Sequence, residues 1–279
     1  MNKNPVASFL LPDDFRRPPL VRMLHEGRLV GEASRHAVRG LSAARTRTPY
    51  AGSAPARDAD PVLLVPGFMA GDYTLAGLSR QLRREGHRTY RAGIPVANSG
   101  CTLDTAEMLE SRLEAIVARR EQRVQIVGHS LGGMLARGIA ARRPDLVSGI
   151  VTMGSPVLAP GAHHRSLTVF VLGLVAMSKA GIGGVMNETC VGGECALESF
   201  QESQAPLPSD VSFTAIYSRN DGIVDWRACL DPAATHVEVK ASHIGMAVDP
   251  RVSDEVLSAL RTHREGAAAA ASSLRVATA

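Results

Sequence analysis

The apolar positions of this chain change their spacing several times, and each spacing predicts an element. Residues 62–65 form a short continuous apolar run, the pattern of a strand buried on both faces, and residues 124–127 (VQIV) read as a second buried strand. Residues 89–94, 149–153, 211–217 and 236–239 read as further strands. Between them the period lengthens. Leu109, Leu113, Ile116 and Val117 share one face of a helix predicted over 103–120, with charges opposite. Residues 73–84, 131–142 and 250–264 are also predicted as helices. Strands alternating with helices predict an α/β fold: a mostly parallel central sheet with helices on both faces.

The rhythm breaks at 157–209. That interval holds the longest apolar run, 167–177 (LTVFVLGLVAM), followed by GIGGV and CVGGEC. About fifty residues are too many for a plain connection, so the interval is read as an inserted cap. Residues 20–45 have a partly helical pattern marked by Val21, Leu24, Ala37, Val38 and Leu41, and 46–61 is a Pro/Gly/Ala/Ser-rich linker. The expected organisation is a helical leader and linker over 1–60, one domain over 61–265, and a flexible Ala/Ser-rich tail over 266–279.

Composition narrows the function classes. With 279 residues, 45% hydrophobic and 21% charged, the chain can build a core without disulfides or metals. The net charge of +4 lies entirely in residues 1–60, which hold 10 Lys/Arg against 6 Asp/Glu; residues 61–279 hold 21 of each. A neutral body with 4% aromatic residues argues against a nucleic-acid partner. The apolar run falls short of the roughly 20 residues needed to span a bilayer, so no integral membrane segment is expected. Asp13, Asp14 and several prolines interrupt the N-terminus, which therefore lacks a signal-peptide core, and the cytoplasm is the expected location. Cys101, Cys190, Cys195 and Cys229 include no CxxC and have no partnering histidine pair, so no metal is expected. They are read as free or buried thiols, with a Cys190–Cys195 or Cys195–Cys229 bridge as the alternative.

The chemistry concentrates after the strands. Gly128-His129-Ser130-Leu131-Gly132 fits G-x-S-x-G and sits between a strand and a helix, the context of a nucleophile elbow. A serine hydroxyl needs a base, and in elbow enzymes the chain order is serine, acid, histidine. His163 and His164 lie in the cap, His236 opens a strand and His263 lies late in a helix. His243 follows the last strand, at the sheet edge expected for Ser130, and is the chosen base. The strand over 211–217 leads into Arg219-Asn220-Asp221-Gly222-Ile223-Val224-Asp225. Asp221 is the chosen acid, with Asp225 as runner-up. Two backbone donors are expected for an oxyanion, the N–H groups of Leu131 and of Phe68 in the loop Pro66-Gly67-Phe68-Met69. Phe68 and Met69 are expected to line an acyl pocket.

Taken in order, VPGFMAGDYT, IVGHSLGGMLAR, GSP, SRNDGIVDW and SHIGMAVDP resemble the α/β-hydrolase superfamily, in particular bacterial lipase- and esterase-like members, over about 60–263. The resemblance implies an α/β-hydrolase fold, a Ser130–Asp221–His243 triad, an oxyanion hole at Phe68 and Leu131, and no cofactor. Where many lipases carry His-Gly, this chain has Pro66-Gly67. The expected activity is hydrolysis of a small-molecule carboxylic ester through an acyl-enzyme. The alternatives are a thioesterase or acyltransferase with the same triad, or a non-catalytic binding protein on the same scaffold. The oligomeric state is not legible.

Overall fold

The computed structural model describes residues 7–45 and 60–277. Six strands form one sheet: β1 (Pro61–Val65), β2 (Arg88–Arg91), β3 (Val124–His129), β4 (Val147–Met153), β5 (Ser212–Tyr217) and β6 (Thr235–Glu238). Their order is β2-β1-β3-β4-β5-β6, and every pairing is parallel. All five residues of β1 and all six of β3 are buried, and β1 accordingly reads as an unbroken apolar run, whereas β3 carries the buried polar Gln125 and His129.

Alternate residues of each strand feed two cores. Leu63, Val65, Ile126 and Ile150 face α3 (Thr102–Arg120) and α4 (Leu131–Arg142), packing on Leu109, Leu113, Leu135 and Ile139. Val62, Leu64, Val127 and Val151 face the other way, onto Leu78 and Leu82 of α2 (Ala76–Arg84) and Val256 and Leu260 of α8 (Pro250–Ala277). The three-layer arrangement follows from this period of two meeting helical stripes.

Some boundaries differ from the sequence expectation. The helix predicted from 73 begins as a 3-10 turn, Asp72–Leu75, and becomes α2 at Ala76. The last helix does not stop at 264 but continues through the alanine-rich stretch to Ala277, where strong helix formers extend it. Residues 46–59, most of the expected linker, lie outside the described residues. Between β4 and β5 the cap interval forms α5 (Arg165–Lys179), α6 (Glu188–Gly192) and α7 (Glu194–Gln204). N-terminal to the sheet, a 3-10 helix (Leu20–Arg28) runs directly into α1 (Leu29–Arg45). None of the described helices is long and apolar enough to cross a membrane.

The connections after β1, β3, β5 and β6 all leave from the C-terminal edge of the sheet. Here β1 is flanked by β2 on one side and β3 on the other, so the loops leaving β1 and β3 diverge and open a crevice.

Candidate active site

Ser130 joins β3 to α4 with φ 51° and ψ −119°, a conformation that L-residues rarely adopt and that costs roughly 1–3 kcal/mol. Its surroundings leave little alternative. Its N–H donates to Met153 O (2.8 Å) on β4, and its carbonyl accepts from Gly133 and Met134 in the first turn of α4. A Cβ at Gly132 would collide with the Val65 carbonyl, and one at Gly128 with the backbone of Gly132 and Gly133. The two glycines of the motif thus let strand and helix approach closely enough to hold the strained serine.

The acid loop follows β5. Asp221 is 1% exposed, and its Oδ1 accepts the N–H groups of Ile223 (2.9 Å) and Val224 (2.7 Å). Its Oδ2 is paired with His243 Nδ1 at 2.6 Å. Such a carboxylate fixes the imidazole with the proton on Nδ1 and leaves Nε2 as the reactive nitrogen. Burial alone would lower the His243 pKa, but the charge and hydrogen bond of Asp221, aided by Glu26, raise it above the ordinary histidine value. Asp225 is engaged elsewhere: it accepts from Arg16 N (3.1 Å) and pairs with Arg227 (2.7 Å), capping the turn Trp226–Cys229.

His129 connects the serine to the histidine loop. Its ring lies 5.0 Å from that of His243, and its Nε2 donates to His243 O (3.0 Å). Burial, then the neighbouring His243, push its pKa down to about 4, so it stays neutral where His243 titrates. Four further histidines have other partners. His263 sits in a buried network with Thr214 and Gln125, His236 bonds Asp231 O, and His163 and His164 belong to the cap entrance.

The loop after β1 lies against the serine: a Cβ on Gly67 would sit 3.1 Å from Ser130 Cβ. Asn98, a buried residue not singled out in the sequence, holds this loop. Its side chain donates to Pro66 O (3.0 Å), and its backbone bonds Met69 N and Ala70 O. Leu131 is the first residue of α4, so its N–H has no intrahelical acceptor and faces the helix N-terminus. Phe68, Ser130 and Leu131 border an open apolar cavity, walled by Leu167, Val171, Met186 and Phe200 from the cap. Met69 is not among its lining residues, contrary to expectation. A left-handed turn (φ 57°), closed by Ala70 N–H on Gly67 O, leaves its side chain 44% exposed.

Two carboxylates from the N-terminal segment were also missed. Glu26 Oε1 accepts the N–H groups of Gly222 (3.0 Å) and His243 (2.9 Å), and its Oε2 accepts that of Ile244 (3.1 Å). Glu32, fully buried, accepts from both the N–H (2.8 Å) and the hydroxyl (2.6 Å) of Ser242. One side chain therefore ties the acid loop to the histidine loop, and a second anchors the residue before the histidine.

A sequence model for the alpha/beta hydrolase fold matches residues 60–181. The mature form of the Bacillus licheniformis lipase BlEst2 superposes with a TM-score of 0.59 at 15% identity, covering 75% of this chain and 94% of that one. The chain has the α/β-hydrolase fold. Among curated proteins, this chain is similar to a triacylglycerol lipase of Vibrio cholerae serotype O1, 31% identical over 139 residues (47% of this chain, 40% of that one). A triacylglycerol lipase of Burkholderia plantarii is 26% identical over 235 residues (76% and 64%). The chain thus spans less than two thirds of the length of these relatives.

Proposed function

We propose that this protein of α/β-hydrolase fold is a serine hydrolase of carboxylic esters whose acyl group is longer than acetyl. The observation that carries the reading is the buried Asp221–His243 pair, 2.6 Å apart, with the His243 ring 5.0 Å from that of His129, the residue before a strained serine that opens onto an apolar cavity. Likeness to triacylglycerol lipases supports ester hydrolysis as the class of reaction.

In this reading Ser130 Oγ attacks the ester carbonyl while His243 Nε2 takes its proton. Asp221 stabilises the imidazolium and keeps the ring oriented. The Phe68 and Leu131 N–H groups receive the oxyanion, one donor on each side of the crevice. His243 then protonates the departing alcohol, and water, activated by the same imidazole, releases the acid and restores Ser130. The acyl chain occupies the cavity beneath the cap.

A series of p-nitrophenyl esters from acetate to palmitate tests this, run beside an acyl thioester of matched length and with Ser130→Ala as control. Serine-dependent turnover that rises beyond acetate is expected. Fastest turnover of acetate, with none of longer chains, would overturn the acyl assignment. Turnover of the thioester alone would replace the ester reading with that of a thioesterase.

A further inference from the structure

Three of the four cysteines meet at the seam between the cap and the sheet domain. Cys101 immediately precedes α3, Cys190 lies in α6 and Cys195 in the first turn of α7, and their sulfur atoms all lie within 4.8 Å of one another. Cys190 is buried, and the other two are half-buried. Around them pack Phe68, Leu131, Leu174, Val185 and Met186, all apolar. Each cap thiol has a defined neighbour: Cys190 Sγ donates to Asn187 Oδ1 (3.3 Å), and Cys195 Sγ lies 3.2 Å from Thr189 Oγ1. The Met186 N–H donates to Ser99 O (2.8 Å), tying the stretch that leads into α6 to the one that leads into Cys101. The fourth, Cys229, is fully buried elsewhere, in the turn capped by Asp225.

Two chemistries suit three converging thiols. A divalent cation would require three thiolates and leave net negative charge among apolar side chains, which is costly without compensation. A disulfide is neutral and suits the same surroundings. The sulfurs need to close by about 2.7 Å at most to reach bonding distance, within the sweep of cysteine rotamers. Burial, together with the Cys190 neighbour, pushes the Cys101 thiol up to about 12, consistent with a pocket that favours uncharged sulfur.

We infer that Cys101 and Cys190 form an oxidation site that closes to a disulfide by exchange with a small-molecule disulfide. One protein thiolate attacks a sulfur of the reagent, forming a mixed disulfide and releasing one reagent thiol. The second protein thiolate displaces the other. Two protein thiols are oxidised, the reagent disulfide is reduced to two thiols, and the two protons pass to them. The bridge joins the start of α3 to the cap helix that carries Cys190, itself part of the cavity wall beside Phe68 and Leu131. The inference stands independently of the ester-hydrolase reading.

The test is full-length protein equilibrated in glutathione buffers from fully reduced to fully oxidised, alkylated, and mapped by mass spectrometry after digestion with trypsin and a glutamate-specific protease. Cleavage after Glu194 separates Cys190 from Cys195. The expected result is a loss of two hydrogens, a dominant peptide linking Cys101 to Cys190, and Cys229 still reduced. The oxidised protein should also melt roughly 5 °C or more above the reduced form, because the bridge closes a long loop. Cys101→Ser and Cys190→Ser should each abolish the bridge and the shift, while Cys195→Ser and Cys229→Ser retain both. A dominant link to Cys195 or Cys229, mixed disulfides alone, or stoichiometric zinc that blocks alkylation of all three thiols would overturn it. Because the map is read on unsubstituted protein, the outcome does not depend on whether a variant folds.

Discussion

Glu26 offers the sharpest perturbation, because one carboxylate holds backbone from both loops that carry the Asp221–His243 pair. In Glu26→Ala the N–H groups of Gly222, His243 and Ile244 lose their acceptor. Hydrogen bonds to a charged group are each worth about 1.5–3 kcal/mol when buried. Glu26 is half-buried, so water replaces part of the loss, and a total of about 2 kcal/mol is expected. If that appears as misplacement of His243, kcat/KM falls about 30-fold. Glu26→Gln keeps an acceptor and should recover most of that loss, yet it removes the negative charge that helps raise the His243 pKa. Because the base must be neutral to act, a raised pKa places the acidic limb of kcat/KM at higher pH, and both variants should move that limb to lower pH. The assay is the pH profile of p-nitrophenyl butyrate hydrolysis, with thermal melts alongside. A lowered Tm with unchanged kcat/KM and an unmoved acidic limb would refute the positioning role and leave Glu26 a purely structural tie.

Further substitutions separate neighbouring residues. Asp221→Asn should lower kcat by about 10⁴-fold, since it disturbs the imidazole tautomer. Asp225→Asn should chiefly lower Tm, because Asp225 binds Arg16 and Arg227 instead; steady-state rates and melts of the pair check the ranking, and its reversal would exchange their roles. Gly154→Ala should reduce kcat while the protein still folds, as read by kinetics and circular dichroism. Its φ is +58°, and the added Cβ would lie 2.7 Å from Met246 Cε, 3.2 Å from His243 Nδ1 and 3.3 Å from Asp221 Oδ2. Unchanged kcat would mean that the Asp221–His243 pair absorbs the displacement.

What the sequence made legible was what is local. The buried strand β1 announced itself as an apolar run, β3 as a mainly apolar stretch, α3 as a stripe, and Ser130 as a serine between glycines at a strand–helix junction. Asp221 and His243 could be placed because each follows a strand whose C-terminal end lies at one sheet edge. Glu26 and Glu32 were not legible: their partners lie about 200 residues away, and a glutamate in a helical pattern reads as an exposed one. Asn98 escaped for a similar reason, since it reaches the Phe68 loop from beyond β2. Met69 was misassigned because adjacency to Phe68 says nothing about the left-handed turn that leaves it exposed. The meeting of Cys101 with Cys190 and Cys195 likewise needs the fold of the cap, which spacing alone does not supply.

The central claim is that Ser130 is a nucleophile activated by His243. The most direct measurement is covalent labelling by a fluorophosphonate probe, read by intact mass and peptide mapping on the unsubstituted protein, Ser130→Ala and His243→Ala. A single adduct on Ser130 is expected, absent in Ser130→Ala and formed far more slowly in His243→Ala. An unlabelled Ser130 in folded protein, an adduct on another residue, or labelling indifferent to His243 would contradict it.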